Sequence, residues 1–108
     1  MIQMSLSSRG SRILLYGDDE VLLNTRRLLL ERAGFIVDTA TIAEEFKSRI
    51  AEAESPYDLF ILGHTIPELE QKAIIASTVN SNTIVYPLSG PVWPRDFLTK
   101  VSELLSHS

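Results

Sequence analysis

RILLYGDDEVLLNTRRLLLERAGFIVDTA, residues 12–40, holds two short apolar runs separated by a stretch with helical spacing. Ile13-Leu14-Leu15-Tyr16 runs into Gly17 without alternation, the pattern of a strand buried on both faces. Val21, Leu22, Leu28 and Leu29, with Thr25 between them, recur at helical spacing and predict an apolar stripe. Asp18 and Asp19 stand at the amino end of that helix, where acids favour the dipole, and Gly34 is placed as its stop. From Phe35 to Ala40 the period falls to two, Phe35 and Val37 against Ile36 and Asp38, which predicts a second strand. Strand, helix and strand in so short a span make a crossover unit, and such units build parallel sheets.

The alternation continues to the end of the chain. Thr41 opens a helix with Glu44 three residues later, in the spacing of a capping box, and Ile42, Phe46 and Ile50 stripe one face. YDLFILG, 57–63, predicts a third buried strand that stops at a glycine. A helix follows from near Pro67, a residue tolerated in a first turn, and ends at Asn80-Ser81-Asn82. TIVYPL, 83–88, predicts a fourth strand, and Pro87 suits it to a sheet edge. The last helix starts near Pro94 with Phe97, Leu98, Val101, Leu104 and Leu105 on its apolar side. The expected fold is α/β, a three-layer sandwich whose parallel strands run in the order 2-1-3-4 with helices on both faces.

Length and composition narrow the function. A chain of 108 residues is one domain, read here as a flexible leader over 1–11 and a folded unit over 12–106. There is no cysteine, which excludes a disulfide framework, a thiol nucleophile and cysteine-ligated zinc. The net charge of -4, with basic residues scattered, argues against a nucleic-acid surface. Arg26 and Arg27 are expected on the solvated side of their helix. No apolar run approaches membrane-spanning length and the start lacks a signal-peptide core, so a cytoplasmic protein is expected.

The residues carry a resemblance. RILLYGDDEVLLNTRRLLLERAGFIVDTATIAEEFKSRI resembles the first two βα units of the receiver domain of bacterial response regulators, the flavodoxin-like CheY family. YDLFILGHTIPE is similar to that family's phospho-acceptor strand, including the proline soon after the acceptor, and LSGPVWPRDFLTKVSELL to its last strand and helix. The likeness runs from Arg12 to Leu105, with four βα units where the family has five. TIVYPLSG stands for the fourth strand, the fifth, or a fusion of both.

The resemblance also implies a loss of chemistry. An aspartate ends the family's third strand and accepts a phosphoryl group; here Gly63 stands there. Two acids follow the first strand and hold magnesium; here they fall on Gly17 and Asp18, with Asp19 beside them. A lysine precedes the final proline; here the residue before Pro91 is Gly90. Phosphoryl transfer needs a nucleophile, a divalent cation and a positioned positive charge, and all three are depleted. A pseudo-receiver, not an enzyme, without magnesium or another cofactor, is the expectation.

Each candidate residue has a plainer alternative. Asp18 and Asp19 are a remnant metal site or simply acids at a helix start. His64 is a substitute phosphoryl acceptor or metal ligand, or a solvent-facing loop residue. Ser89 matches the family's switch hydroxyl or merely favours a turn with Gly90 and Pro91. Trp93 anchors a partner or packs over the sheet end. The expected role is a signalling module of a two-component phosphorelay that acts by contact with a protein partner or a second copy. Tyr86 and Trp93 would lie near that contact. The missing helix would uncover apolar side chains from Ile74, Ile75 or Val85. The alternatives are a receiver with altered phosphoryl transfer, and a small-ligand binder in a pocket vacated at Gly17 and Gly63.

Overall fold

The computed structural model describes residues 10–78, 83–90 and 92–106. In chain order the elements are β1 (Arg12–Tyr16), α1 (Glu20–Arg32), β2 (Ile36–Ala40) and α2 (Ala43–Glu52). They continue with β3 (Leu59–Leu62), α3 (Glu68–Ser77), β4 (Ile84–Pro87) and α4 (Pro94–Ser106). The four strands form one sheet in the order β2-β1-β3-β4, every neighbouring pair parallel. This is the expected flavodoxin-like α/β arrangement. Most of the leader, residues 1–9, and the helix stop at Asn80-Ser81-Asn82 lie outside the described residues.

Strand alternation sorts the core into two layers. Ile13, Leu15, Leu59 and Ile61 face one side, where Leu23 and Leu30 of α1 and Phe97, Val101 and Leu105 of α4 cover them. Leu14, Tyr16, Phe60 and Leu62 face the other, against Phe46 of α2 and Ile74 of α3. Burying each such side chain is worth about 1.5–3 kcal/mol, so both layers are needed to hold the sheet. On the second side Tyr16 and Phe46 stack at 5.0 Å, and Phe60 meets Phe46 edge-on at 5.1 Å. The Tyr16 hydroxyl donates to Glu70, which pins α3 to β1.

Four helix expectations need correction. The buried stripe of α1 is Leu23, Arg26 and Leu30, while Val21 and Leu28 are exposed and Leu22 and Leu29 half-buried. The stripe sits one residue further along, with an arginine at its centre. At α2 the box closes on Glu45, whose Oε1 accepts from the Thr41 N–H at 2.7 Å, rather than on Glu44. Of its expected stripe only Phe46 is buried, and Ile42 and Ile50 are exposed. In α3, Ile74 is buried and Ile75 exposed, so only one of this pair is uncovered.

The tail combines two roles. β4 lies against β3, in the fourth position, yet α4 crosses to the α1 side of the sheet. The N–H groups of Ile84 and Leu88 donate to β3-side carbonyls at 3.1 and 2.9 Å. Alternation then turns the donor-less position of Pro87 to the open edge, where its missing N–H costs no ladder bond.

Candidate functional site at the carboxyl end of the sheet

β1 and β3 are the neighbours at which the strand order changes direction, and their carboxyl ends are the ligand-binding crevice of such sheets. They end in Gly17 and Gly63. A Cβ built on Gly63 would lie 3.3 Å from the Tyr16 carbonyl oxygen, 3.4 Å from Gly17 Cα and 3.8 Å from Arg26 Nη1. The two glycines therefore sit side by side, and the position an acceptor side chain would leave from is already in contact with backbone and a guanidinium. The hollow expected between them is not open at that point.

The acids beside them are committed elsewhere. Asp19 is the N-cap of α1, its Oδ1 accepting from the N–H groups of Val21 and Leu22 at 3.1 and 3.2 Å. Such a cap is worth about 1 kcal/mol to the helix. Asp18 accepts from the Thr65 hydroxyl and so ties the loop after β1 to the loop after β3. Thr65 was not singled out in the sequence; its offset of two from the strand-ending Gly63 is the signal that marks it.

Arg26 is the principal correction. It was expected on the solvated side of α1, and it is 8% exposed, reaching across to Gly63. Burial lowers its pKa, and the nearby Asp19 and Tyr86 partly offset that. Among the described residues its guanidinium has neither a hydrogen bond nor an ion pair. Arg27, one residue on, behaves as expected, pairing with Glu31 at 2.9 Å and with Asn24 at 2.6 Å. The clue to Arg26 is its place midway between Leu23 and Leu30 on the buried stripe.

The remaining candidates separate. His64 is half-buried rather than solvent-facing, and its Nδ1 is buried with no hydrogen-bond partner among the described residues. Tyr86 faces inward, stacked on Phe97 at 6.5 Å, and burial raises the pKa of its hydroxyl while Arg26 opposes the rise. It therefore stands with the site rather than on an outer contact face. Trp93 is 77% exposed, which rules out packing over the sheet end. Ser89 is exposed and Gly90 half-buried with open space around it, while Pro91 lies outside the described residues.

No protein-family model and no curated protein matches the sequence. Solved structures do match. A CheY-like receiver domain protein from Methanospirillum hungatei JF-1 aligns with TM-score 0.65 and 24% identity, over 91% of this chain and 95% of that one. The chain has the CheY-like receiver fold. A response regulator receiver protein from Burkholderia phymatum gives TM-score 0.75 at 18% identity, over 88% of this chain and 94% of that one. A response regulator from Thermotoga maritima, solved with magnesium and BeF, gives 0.64 at 24% identity, over 88% and 99%. The sheet order and the flanking helices are thus those of a receiver fold.

Proposed function

We propose that the protein is a receiver-like module of two-component signalling that works by protein–protein contact and is not phosphorylated. The observation that supports this best is the state of the acceptor position. Gly63 offers no oxygen nucleophile, and the space its side chain would enter adjoins the Arg26 guanidinium. The residues present do not fit a magnesium ion either. Asp19 is spent on the helix cap, Asp18 holds Thr65, and a fixed cation already stands beside them. A divalent ion there would face like charge with no acceptor oxygen to share.

Output through contact is supported by what the shortened fold leaves open. β4 is an edge strand with backbone groups available to a second chain, and Trp93 stands exposed near the start of α4. No helix among the described residues is long and apolar enough to cross a membrane. The test is incubation with magnesium and acetyl phosphate, followed by intact mass, and with beryllofluoride, followed by amide NMR. Unchanged mass and an unmoved spectrum at 17–19, 63–65 and 89–90 are expected. An added phosphoryl mass, or shifts clustered at those residues on adding beryllofluoride, overturns the proposal.

A further inference from the structure

We propose that β4 pairs antiparallel with the β4 of a second copy of this chain, about a two-fold axis at Val85, joining the four strands of each copy into one sheet. The pairing rests on the reading that the protein acts by contact, and it names the partner. A sheet is extended only at an edge, and this one has two, β2 and β4. The two are not alike.

The β2 edge is defended. The Ile36 N–H donates to Ser11 and the Ala40 carbonyl accepts from Gly17, so both point to β1 and alternation turns Val37 and Thr39 outward. The Thr39 carbonyl is already taken by Arg49 Nε at 3.1 Å, and a charged side chain at an edge discourages pairing. The β4 edge has no such guard. Ile84 and Leu88 donate to the carbonyls of Asp58 and Leu62, so Val85 and Pro87 face outward. No charged residue lies from Thr83 to Leu88, and no side chain among the described residues bonds the Val85 backbone. The side chains of Ile84, Val85 and Tyr86 are half-buried, whereas every residue of β3 is buried.

This edge is complementary to itself. Val85 turns out both an N–H and a carbonyl, while Pro87 has only the carbonyl. On a two-fold axis at Val85 each Val85 N–H donates to the other copy's carbonyl, and both outward groups are satisfied at once. A register centred on Tyr86 would instead set each Val85 carbonyl against Pro87, which has no N–H to give. Pro87 therefore selects the register rather than forbidding the pair. In that register Ile84 stands opposite Tyr86 of the other copy on the α1 and α4 side, and Val85 opposite Val85 on the α2 and α3 side. An aromatic against a β-branched side chain is a favourable cross-strand pair, and symmetry makes it twice. The contact is short, below the size of a permanent interface, so the dimer is expected to dissociate on dilution.

The experiment is sedimentation equilibrium of the full chain from micromolar to millimolar concentration, in enough salt to screen the -4 charge of each copy. A rise from the 12.1 kDa monomer to twice that mass is expected. In a mixture of isotope-labelled and unlabelled chains, intermolecular NOEs should join Ile84 to Tyr86, because a non-hydrogen-bonded antiparallel pair brings Cα atoms to about 4.5 Å. Val85→Pro removes the outward donor without touching the β3 ladder, and Val85→Lys puts a charge on the edge. Each is expected to weaken association by roughly tenfold or more, the worth of one hydrogen bond. A monomer mass at every concentration overturns the pairing, as does a dimer that both variants retain or whose intermolecular NOEs lie elsewhere. If neither variant folds, the mass and NOEs of the native chain still decide. A failure here leaves output by contact standing with a different partner, whereas phosphorylation would overturn that reading and not this pairing.

Discussion

At the amino end of the sheet Arg12 is surrounded by partners, and at the carboxyl end Arg26 has none among the described residues. Arg12 Nη1 donates to the Ser55 carbonyl and hydroxyl at 2.7 and 2.8 Å, and its guanidinium lies 4.8 Å from the centre of the Tyr57 ring. Asp38 stands 3.6 Å from Nη2 and also accepts from the Tyr57 hydroxyl at 2.6 Å. The Arg12 backbone N–H donates to Asp58 at 2.8 Å. One end of the same sheet therefore satisfies its charge several times over, and the other leaves a largely buried arginine without a protein partner among the described residues. Both ends belong to one cooperative core, so the contrast separates groups that hold the fold from groups the fold has to tolerate.

The contrast breaks most visibly at Arg12. Arg12→Ala removes two charge-assisted hydrogen bonds and leaves Asp38 and Ser55 short of partners, an expected loss of about 2–3 kcal/mol. Urea unfolding should show a lower midpoint at unchanged slope. A loss below about 0.5 kcal/mol would mean that the amino end is no better braced than an ordinary surface.

Tyr57 comes next. Tyr57→Phe leaves one oxygen of the half-buried Asp38 carboxylate without its donor, an expected cost of about 1 kcal/mol near neutral pH. Burial first, and the bond to Asp38 second, push the Tyr57 hydroxyl up to about 12. Its folded value thus lies above its unfolded value near 10, so the stability it contributes is whole below pH 10 and lost as pH rises toward 12. The native chain should weaken over that window more steeply than Tyr57→Phe. Parallel curves for the two would remove Tyr57 from the brace. Tyr16 also titrates late, but it is common to both chains and cancels in the difference.

Arg26→Met should have the opposite sign, a stability change between zero and a gain of about 1 kcal/mol, measured by the same urea midpoints. If it destabilised as much as Arg12→Ala, the two ends would be alike and Arg26 would be a structural residue.

Why the sequence revealed one end and not the other follows from the same contrast. Strands and their order were legible because Leu14-Leu15 and Phe60-Ile61 are buried on both faces, a condition that only an apolar run meets. Gly17 and Gly63 are read as losses only through the receiver resemblance, which says what ought to stand there. Arg26 was not, since a charged residue on an amphipathic helix is assigned to solvent by pattern alone. Its guanidinium lies beside Gly63, far away in sequence, which no local pattern reports. With Arg26 read as exposed, the apolar face was drawn through Val21 and Leu28 instead of Leu23 and Leu30. Glu45 displaced Glu44 at the α2 box because that helix begins one residue later than Thr41 implied, at Ala43 after Ile42.

The smallest expected effect is the most discriminating. Gly63→Asp restores the acceptor type at the end of β3, yet the new carboxylate would emerge beside Arg26, whose Nη1 is 3.8 Å from the Cβ position. It should pair with that guanidinium rather than wait for a phosphodonor. The fit is tight against the Tyr16 carbonyl at 3.3 Å, so strain of a few tenths of an ångström offsets the ion pair. The net stability change is expected within about 1 kcal/mol of zero. Incubated with magnesium and acetyl phosphate, the variant should keep its mass, because the first metal acid and the lysine are still missing. Ready phosphorylation of this variant would show that a single oxygen was the only missing part.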